Sequence, residues 1–203
     1  MNADSDLRCR IAKEAAILLY FGAEKEYKQA KLKAAKTLGT HFLPTNREVA
    51  VELDKIAETY EKTSRKERLI QMRKEALQIM KILKDYSPIL IGSVWRGTIR
   101  RVSDIDIIVY HDLEDEILTL IKKSDLKIVK TEWNRVTKKG KMEASFHVYA
   151  ETSSKNTTEI VVRTPDEAVR RRKCEVFGDD LIGLTVQELE RVLEENPAQK
   201  FTP

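Results

Sequence analysis

The sequence of 203 residues is poor in several features that mark particular protein classes. Its 2 cysteines, Cys9 and Cys174, are too few and too far apart for a disulfide framework or a cysteine-rich metal site, so reduced thiols are expected. No apolar run approaches the ~20 residues of a membrane-spanning helix, so no membrane association is expected. The first ten residues carry acids and lack the basic-then-apolar order of a secretory signal, which predicts a cytoplasmic location.

The composition that remains is that of a folded protein. Hydrophobic residues make up 41% and charged residues 34%, which argues against disorder, and the length fits one domain of ordinary size or one domain with a sizeable appendage. The formal net charge of +4 favours a polyanionic partner such as a nucleotide or RNA. The preferred interpretation is ordinary solvated helix faces, because the helical stretches contain many pairs of lysine and glutamate.

The hydrophobic period changes at Pro88. Before it, the spacing predicts one or two helices over 4–38 with a weak point at Gly22, a helix capped by Thr45 or Asn46, and another capped by Ser64. After it, the order is strand, strand, helix, three strands and two helices, which predicts an α/β core. The segments are "ILIGSV", "SDIDIIVY", "LEDEILTLIKK", "LKIVKTEW", "ASFHVYAE", "TEIVVR", "TPDEAVRRRK" and "TVQELERVLEEN".

Two carboxylates open the second strand. Asp104 and Asp106 are two residues apart, so on a strand their side chains share one face, whereas Ile105 and Ile107 point the other way. Like charges at the start of a buried strand repel each other and resist desolvation, and a divalent cation between them would relieve both costs. Mg²⁺ is the natural candidate, because it binds through a few carboxylates together with substrate phosphates.

A Gly-Ser turn precedes these acids by about ten residues and follows the first strand. Gly92 would let the backbone approach a phosphate closely, and the Ser93 hydroxyl could donate to it. Arg96, Arg100 and Arg101 lie in the connection and could neutralise a triphosphate. A phosphate-binding turn beside a metal site is therefore predicted.

The stretch "IGSVWRGTIRRVSDID" resembles the signature of the DNA polymerase β-type nucleotidyltransferases. That signature has an apolar residue, Gly-Ser or Gly-Gly, a spacer of about ten residues, and Asp-apolar-Asp or Glu. The stretch is especially similar to CCA-adding enzymes and small stand-alone archaeal members. The resemblance implies an α/β (α+β) fold with a mixed, mostly antiparallel sheet. We accordingly predict three parts of the chain, a helical N-terminal region (1–62), a nucleotidyltransferase core (63–184) and a C-terminal helix and tail (185–203).

The family has a third carboxylate on a later strand. Glu159 opens "TEIVVR" and is the preferred candidate, whereas Glu143 and Glu151 are turn-adjacent alternatives. The resemblance implies that Asp104, Asp106 and Glu159 are catalytic and bind two Mg²⁺ ions, with Mn²⁺ possible. These ions would transfer a nucleoside monophosphate from an NTP to an acceptor hydroxyl and release pyrophosphate. Glu159 would accept the hydroxyl proton, although the family mostly has aspartate there.

The nucleotide would be bound by residues in and after the turn, namely Gly92, Ser93, Arg96, Thr98 and Ser103. ATP is the expected NTP, and the acceptor is open between RNA, protein and a small molecule. A CCA-adding role is disfavoured, because the chain has no room for further tRNA-gripping domains. The alternative function is an antitoxin-like or regulatory module that holds nucleotide with little turnover. The sequence leaves the oligomeric state open.

Two further features admit two interpretations each. His147 shares a strand face with Ser145 and Tyr149 and could contact a nucleotide, but a hydrogen-bonded sheet histidine is the preferred interpretation. The basic cluster "RRRK", residues 170–173, could bind RNA or the triphosphate, or could be a solvated helix face.

Overall fold

The computed structural model describes residues 3–138 and 141–203. The helices are α1 Ala3–Tyr20, α2 Tyr27–Thr37, α3 Asn46–Ile82, α4 Gly92–Arg96, α5 Glu114–Lys122 and α6 Val186–Glu195, with 3₁₀ turns at Lys84–Tyr86 and Pro165–Glu167. The strands are β1 Ile89–Ile91, β2 Ile105–Tyr110, β3 Lys127–Lys138, β4 Lys141–Glu151 and β5 Thr157–Arg163. Within the described ranges, no helix is long and apolar enough to cross a membrane.

The strands form one sheet in the order β1-β2-β5-β4-β3. β2 pairs with β5 in parallel, and the other three pairings are antiparallel. The predicted mixed, mostly antiparallel sheet with helices is therefore confirmed. The parallel pairing brings β5 beside β2 although α5 and the long β3–β4 hairpin lie between them in sequence.

One face of the sheet forms the core. Alternation along each strand sends Ile107, Ile160 and Val148 to this face, where each is fully buried. They pack in a cluster with apolar residues of α3, α5 and α6. The other face carries the neighbours of these residues in the strands, including Asp106, Glu159 and Tyr149, and the register sets these three side by side. The sheet therefore has an apolar face and a second, polar face, on which Ile108 and Val161 are also buried.

The chain divides into two compact units. One comprises the residues up to Arg65 with 173–180, and its helices α1 and α2 bury a small-residue core around Ile11, Leu19 and Ala34. The other comprises 66–172 with 181–202 and contains the sheet. The predicted weak point at Gly22 is a break between helices, with φ of 74° at that glycine.

Helix α3 begins with a capping box and is interrupted near its middle. The Thr45 hydroxyl accepts a hydrogen bond from the Glu48 amide, and the Glu48 carboxylate accepts one from the Thr45 amide. Lys62 has φ 47° and ψ −130°, which are not helical, so two helical segments meet there, as the two predicted helices require. At the other end of the chain, Thr185 and Glu188 form the predicted capping box of α6.

The structure corrects two predicted elements. "ILIGSV" is a strand only to Ile91, because Gly92 adopts φ +71° and starts the one-turn helix α4. "TPDEAVRRRK" is not a helix beyond the 3₁₀ turn Pro165–Glu167, and the chain after Ala168 runs irregularly. The predicted turn "TKKGK" includes residues 139–140, which lie outside the described residues.

Arg73 of α3 fastens α4 to the C-terminal tail. Its guanidinium is fully buried and donates to the carbonyls of Val94, Trp95, Pro197 and Gln199 at 2.8–3.1 Å. Burial lowers the pKa of Arg73 to about 10, so it remains charged at neutral pH. A single α3 side chain therefore holds the short helix that follows β1.

Candidate active site

Three carboxylates converge where β2 and β5 begin. Asp104 immediately precedes β2, Asp106 is its second residue, and Glu159 is paired with Asp106 in the parallel register. One oxygen from each of the three carboxylates lies within 4.8 Å of the other two. Hydrogen-bonded parallel strands are about 4.8 Å apart, so the register alone places Glu159 within reach of Asp106. The residues that the sequence proposed as ligands are thus side by side.

Burial and crowding raise the pKa values of the two aspartates. Burial raises the pKa of Asp106 well above its ordinary value, and the nearby charges of Asp104 and Glu159 raise it further. The pKa of Asp104 is also raised, chiefly by burial and then by Glu159, while its own amide and Arg100 act in the opposite direction. Such a set fits a hard divalent cation, because three carboxylate oxygens face one another without an equal number of positive charges.

The Gly-Ser turn touches the acids. Ile91 is the partner of Asp106 across β1 and β2, so the next residue, Gly92, lies against the Asp106 carboxylate. A Cβ atom built on Gly92 would be 1.9 Å from Asp106 Oδ2, far inside van der Waals contact. Gly92 therefore serves two requirements, the left-handed φ of +71° and the close approach of backbone to carboxylate. Ser93 follows it in the first turn of α4 and is partly exposed.

The other residues proposed to bind nucleotide lie in different surroundings. Arg96 is 3% exposed and donates to the Phe201 carbonyl at 3.0 Å, while its guanidinium lies 4.3 Å from the Trp95 ring centroid. This burial disfavours the predicted phosphate contact of Arg96. Thr98 is partly exposed, and its amide donates to the Ser93 carbonyl at 3.0 Å, so it closes α4.

Ser103 shapes the loop that leads into the acids. Its hydroxyl accepts from the Arg100 amide at 2.9 Å, and its amide donates to the Arg100 carbonyl at 2.8 Å. The turn thereby brings Arg100 near Asp104. The positive charge of Arg100 offsets part of the rise in the pKa of Asp104. Arg68 of α3 donates to the same Arg100 carbonyl and fixes the loop from the other side. Arg100 is accordingly a better-placed cation for a phosphate than Arg96.

A hydrogen-bonded chain on β4 supports Glu159. His147 Nδ1 lies 2.6 Å from Glu159 Oε1, and His147 Nε2 lies 2.8 Å from the Ser145 hydroxyl. The Tyr149 hydroxyl donates to Glu132 at 2.9 Å. Burial and the Glu159 and Glu132 carboxylates raise the pKa of Tyr149 well above its ordinary value. The preferred sequence interpretation of His147 as a hydrogen-bonded sheet histidine holds, but its bond to Glu159 depends on strand register, which the local sequence does not reveal.

The alternative acids and the basic cluster are engaged elsewhere. Glu143 pairs with Arg170 at 3.5 Å and Glu151 pairs with Lys127 at 3.3 Å. In "RRRK", Arg170 and Arg172 are in ion pairs, Arg172 with the buried Glu167. These pairs offset part of the positive charge of the cluster, which disfavours a strong polyanion site there.

The sequence also matches the model of a known protein family. Residues 69–163 match the family model described as "Nucleotidyltransferase domain". This range begins in α3 and ends with β5, so it includes the Gly-Ser turn and all three carboxylates.

Comparison with solved structures gave a chain of the "structure of GLD-2/RNP-8 complex". The two chains have 10% sequence identity and a TM-score of 0.36, and the match covers 61% of this chain. The match spans 39% of the other chain. No curated protein matched the sequence.

Proposed function

Because residues 69–163 form a nucleotidyltransferase domain of the DNA polymerase β-type superfamily, we propose that the protein transfers a nucleoside monophosphate from an NTP to an acceptor hydroxyl, with release of pyrophosphate. The observation that carries the proposal is the convergence of Asp104, Asp106 and Glu159, whose carboxylate oxygens lie within 4.8 Å of one another. A binding module without turnover has no need of a complete set of three acids, whereas phosphoryl transfer does.

The three acids would hold divalent cations, with Mg²⁺ the expected ion and Mn²⁺ a substitute. When bound there, such ions neutralise the triphosphate and lower the pKa of the acceptor hydroxyl. The acids supply the oxygen ligands that hard cations prefer, and the raised pKa of Asp106 supports the proposal, because burial and the neighbouring acids oppose its ionisation. Asp104 and Asp106 are the proposed ligands for the ion that accompanies the NTP, and Glu159 completes the set.

Glu159 is the proposed acceptor of the hydroxyl proton. It is the third acid of the cluster, and it is partly exposed on the polar face of the sheet, where an acceptor could approach. General-base catalysis requires the base within hydrogen-bond reach of the attacking hydroxyl. The bond from His147 to Oε1 would hold the Glu159 carboxylate in place for that role.

The triphosphate is proposed to lie against the start of α4. Gly92 keeps the backbone free of a side chain beside Asp106, and the amides and the hydroxyl of Ser93 can donate to phosphate oxygens. Arg100 supplies a positive charge near Asp104. Thr98 and Ser103 shape the turn around this position rather than contributing charge. We propose ATP as the NTP and an RNA hydroxyl as the first acceptor to test.

The test is a label-transfer assay. The protein is incubated with each NTP labelled at the α-phosphate, with Mg²⁺ or Mn²⁺, and with pooled cellular RNA or pooled protein as acceptor. Asp104→Asn and Asp106→Asn run beside it, because each keeps the side-chain shape and removes the charge. Asp112→Asn, an exposed aspartate just after β2, is the matched control.

Label should move to an acceptor with the unaltered protein and with Asp112→Asn. Transfer should fall by at least about 100-fold in the two site variants, because a two-metal site lacks a ligand charge in each. Transfer that survives Asp104→Asn and Asp106→Asn contradicts the site assignment. Absence of transfer to any acceptor, together with tight NTP binding, establishes the binding module instead.

A further inference from the structure

Glu159 is the longest of the three acids and is held from one side by a neighbouring strand. β4 and β5 pair so that Tyr149 is opposite Glu159 and His147 is opposite Val161, the next residue on the same face as Glu159. His147 is therefore diagonal to Glu159, and its Nδ1 reaches Oε1 at 2.6 Å. His147 is 8% exposed, so water competes little for this bond.

The second ring nitrogen is also engaged. Ser145 is 6% exposed, and its hydroxyl lies 2.8 Å from His147 Nε2. In a neutral ring, the hydroxyl donates to Nε2, and the proton then resides on Nδ1 and points at Glu159. In a protonated ring both nitrogens donate, so the Nδ1 proton points at Glu159 again. Either state gives the same donor at the same carboxylate oxygen.

We infer that His147 is a positioning residue that fixes the Glu159 carboxylate against Asp104 and Asp106, an inference that rests on the proposed function. A glutamate has one more rotatable bond than an aspartate, so an unrestrained Glu159 would sample several carboxylate positions. The bond to His147 selects one of them. Ser145 holds the ring in turn, as partners of metal ligands commonly do.

The first test needs no turnover. The chain has 3 histidines, so the ring nitrogens of His147 can be resolved by ¹⁵N NMR and assigned with His147→Asn. We expect a protonated Nδ1 and a slowly exchanging Nδ1 proton for His147. Substoichiometric Mn²⁺ should broaden the His147 ring signals before those of His41 and His111. An Nδ1 without a proton, or broadening that is equal for all three rings, overturns the inference.

The second test compares three variants by steady-state kinetics. His147→Asn keeps a donor near the position of Nδ1, whereas His147→Leu removes it at similar bulk. His111→Gln is the matched control, because His111 pairs with Glu116 at 2.9 Å outside the site. We expect kcat to fall about 10- to 100-fold in His147→Leu, with KM for the NTP changed less than about threefold. His147→Asn should recover at least half of the loss on a logarithmic scale, and His111→Gln should leave both constants unchanged.

Shortening the acid tests the pairing itself. Glu159→Asp withdraws the carboxylate from His147, so adding His147→Leu to Glu159→Asp should lower kcat by less than about threefold further. Equal fold losses in both backgrounds overturn the inference, as does a His147→Leu protein with unaltered kcat. Circular dichroism melting of each variant separates these outcomes from unfolding. Failure of the unaltered protein to transfer nucleotide contradicts the proposed function, and the NMR and Mn²⁺ results then still decide whether His147 holds Glu159.

Discussion

At the scale of single residues, the absence of a side chain at position 92 matters as much as the acids do. Gly92 has a left-handed φ and lies directly against Asp106. The Cβ atom of any other residue at this position would clash with the Asp106 carboxylate. Both requirements involve residues that are close together in the chain. The pattern of Gly-Ser before Asp-apolar-Asp can therefore be recognised in the sequence.

Gly92→Ala should reduce nucleotidyl transfer by at least about 100-fold, because the new Cβ would lie 1.9 Å from Asp106 Oδ2 and displace the ligand. Gly178→Ala is the control. Gly178 has a similar φ of +78° but nothing within 4 Å of the added Cβ, so it incurs only the backbone strain of about 1 kcal/mol. Transfer assays and urea unfolding of both variants check the prediction, which is wrong if both lose activity equally.

Sequence patterns reveal residues only where their partners are near in the chain. Asp104 and Asp106 follow from a strand period of two, and Glu159 follows from an acid that opens an apolar strand. The contact between His147 and Glu159 depends on the β4–β5 register, which turns and long-range packing set together. The burial of Arg96 depends on the tail at Phe201, 105 residues later in the chain.

At the scale of elements, α3 connects the site to the rest of its unit through buried polar side chains. Arg73 binds the carbonyls that end α4 and those of the tail. Glu75, two residues further along the helix, accepts from Thr152 and Asn156 in the turn between β4 and β5. Helical periodicity predicted the apolar face of α3, but buried charges on that face break the periodic pattern and have no local signature.

Arg73→Met should lower the free energy of unfolding by about 3–5 kcal/mol, because four carbonyl acceptors lose a buried charged donor. Lys74→Met, on the exposed side of the same turn, should change it by less than about 0.5 kcal/mol. Urea denaturation measures both. A small effect of Arg73→Met would show that water replaces the guanidinium and that α4 does not depend on it.

Glu75→Gln should lower stability at neutral pH by about 1–2 kcal/mol. Burial raises the pKa of Glu75, but hydrogen bonds from Asn156, Gln71, Ser154 and Thr152 outweigh burial and lower it below 4.5. A lowered pKa means that this stabilisation is present above pH 4.5 and is lost as the pH falls through the folded value. The difference in unfolding free energy between the two proteins should therefore shrink below pH 4.5, which urea titrations at several pH values will show.

At the scale of the whole molecule, the fold class was predictable from the sequence, whereas the irregular structure of the segment after β5 was not. The change of hydrophobic period at Pro88 and the alternation in each strand identify an α/β core, and the structure has that core. The segment after β5 was predicted as a helix because Thr164 and Pro165 are typical of a helix start. Instead, the helical turn ends at Glu167, which is buried and pairs with Arg163 and Arg172.

Asp106→Asn should stabilise the metal-free protein, by about 1–2 kcal/mol in the presence of a chelator, because it removes a carboxylate whose pKa burial and Asp104 raise. It should also abolish the stabilisation by Mg²⁺, which for the unaltered protein reaches about 2.7 kcal/mol at 100 times the Kd. Thermal melts with chelator and with Mg²⁺ measure both effects. A variant that Mg²⁺ still stabilises fully would place the ion elsewhere.

The parallel pairing of β2 with β5 also sets an order of events during synthesis. Asp106 leaves the ribosome 53 residues before Glu159 (159 − 106), which at 5–20 residues per second is an interval of about 3–10 s. The β3–β4 hairpin precedes β5 in the sequence and must leave the edge of β2 open for β5 to pair with it. A nascent chain therefore has only two of the three acids until its last strand arrives, and the proposed cation site is complete only once β5 has docked.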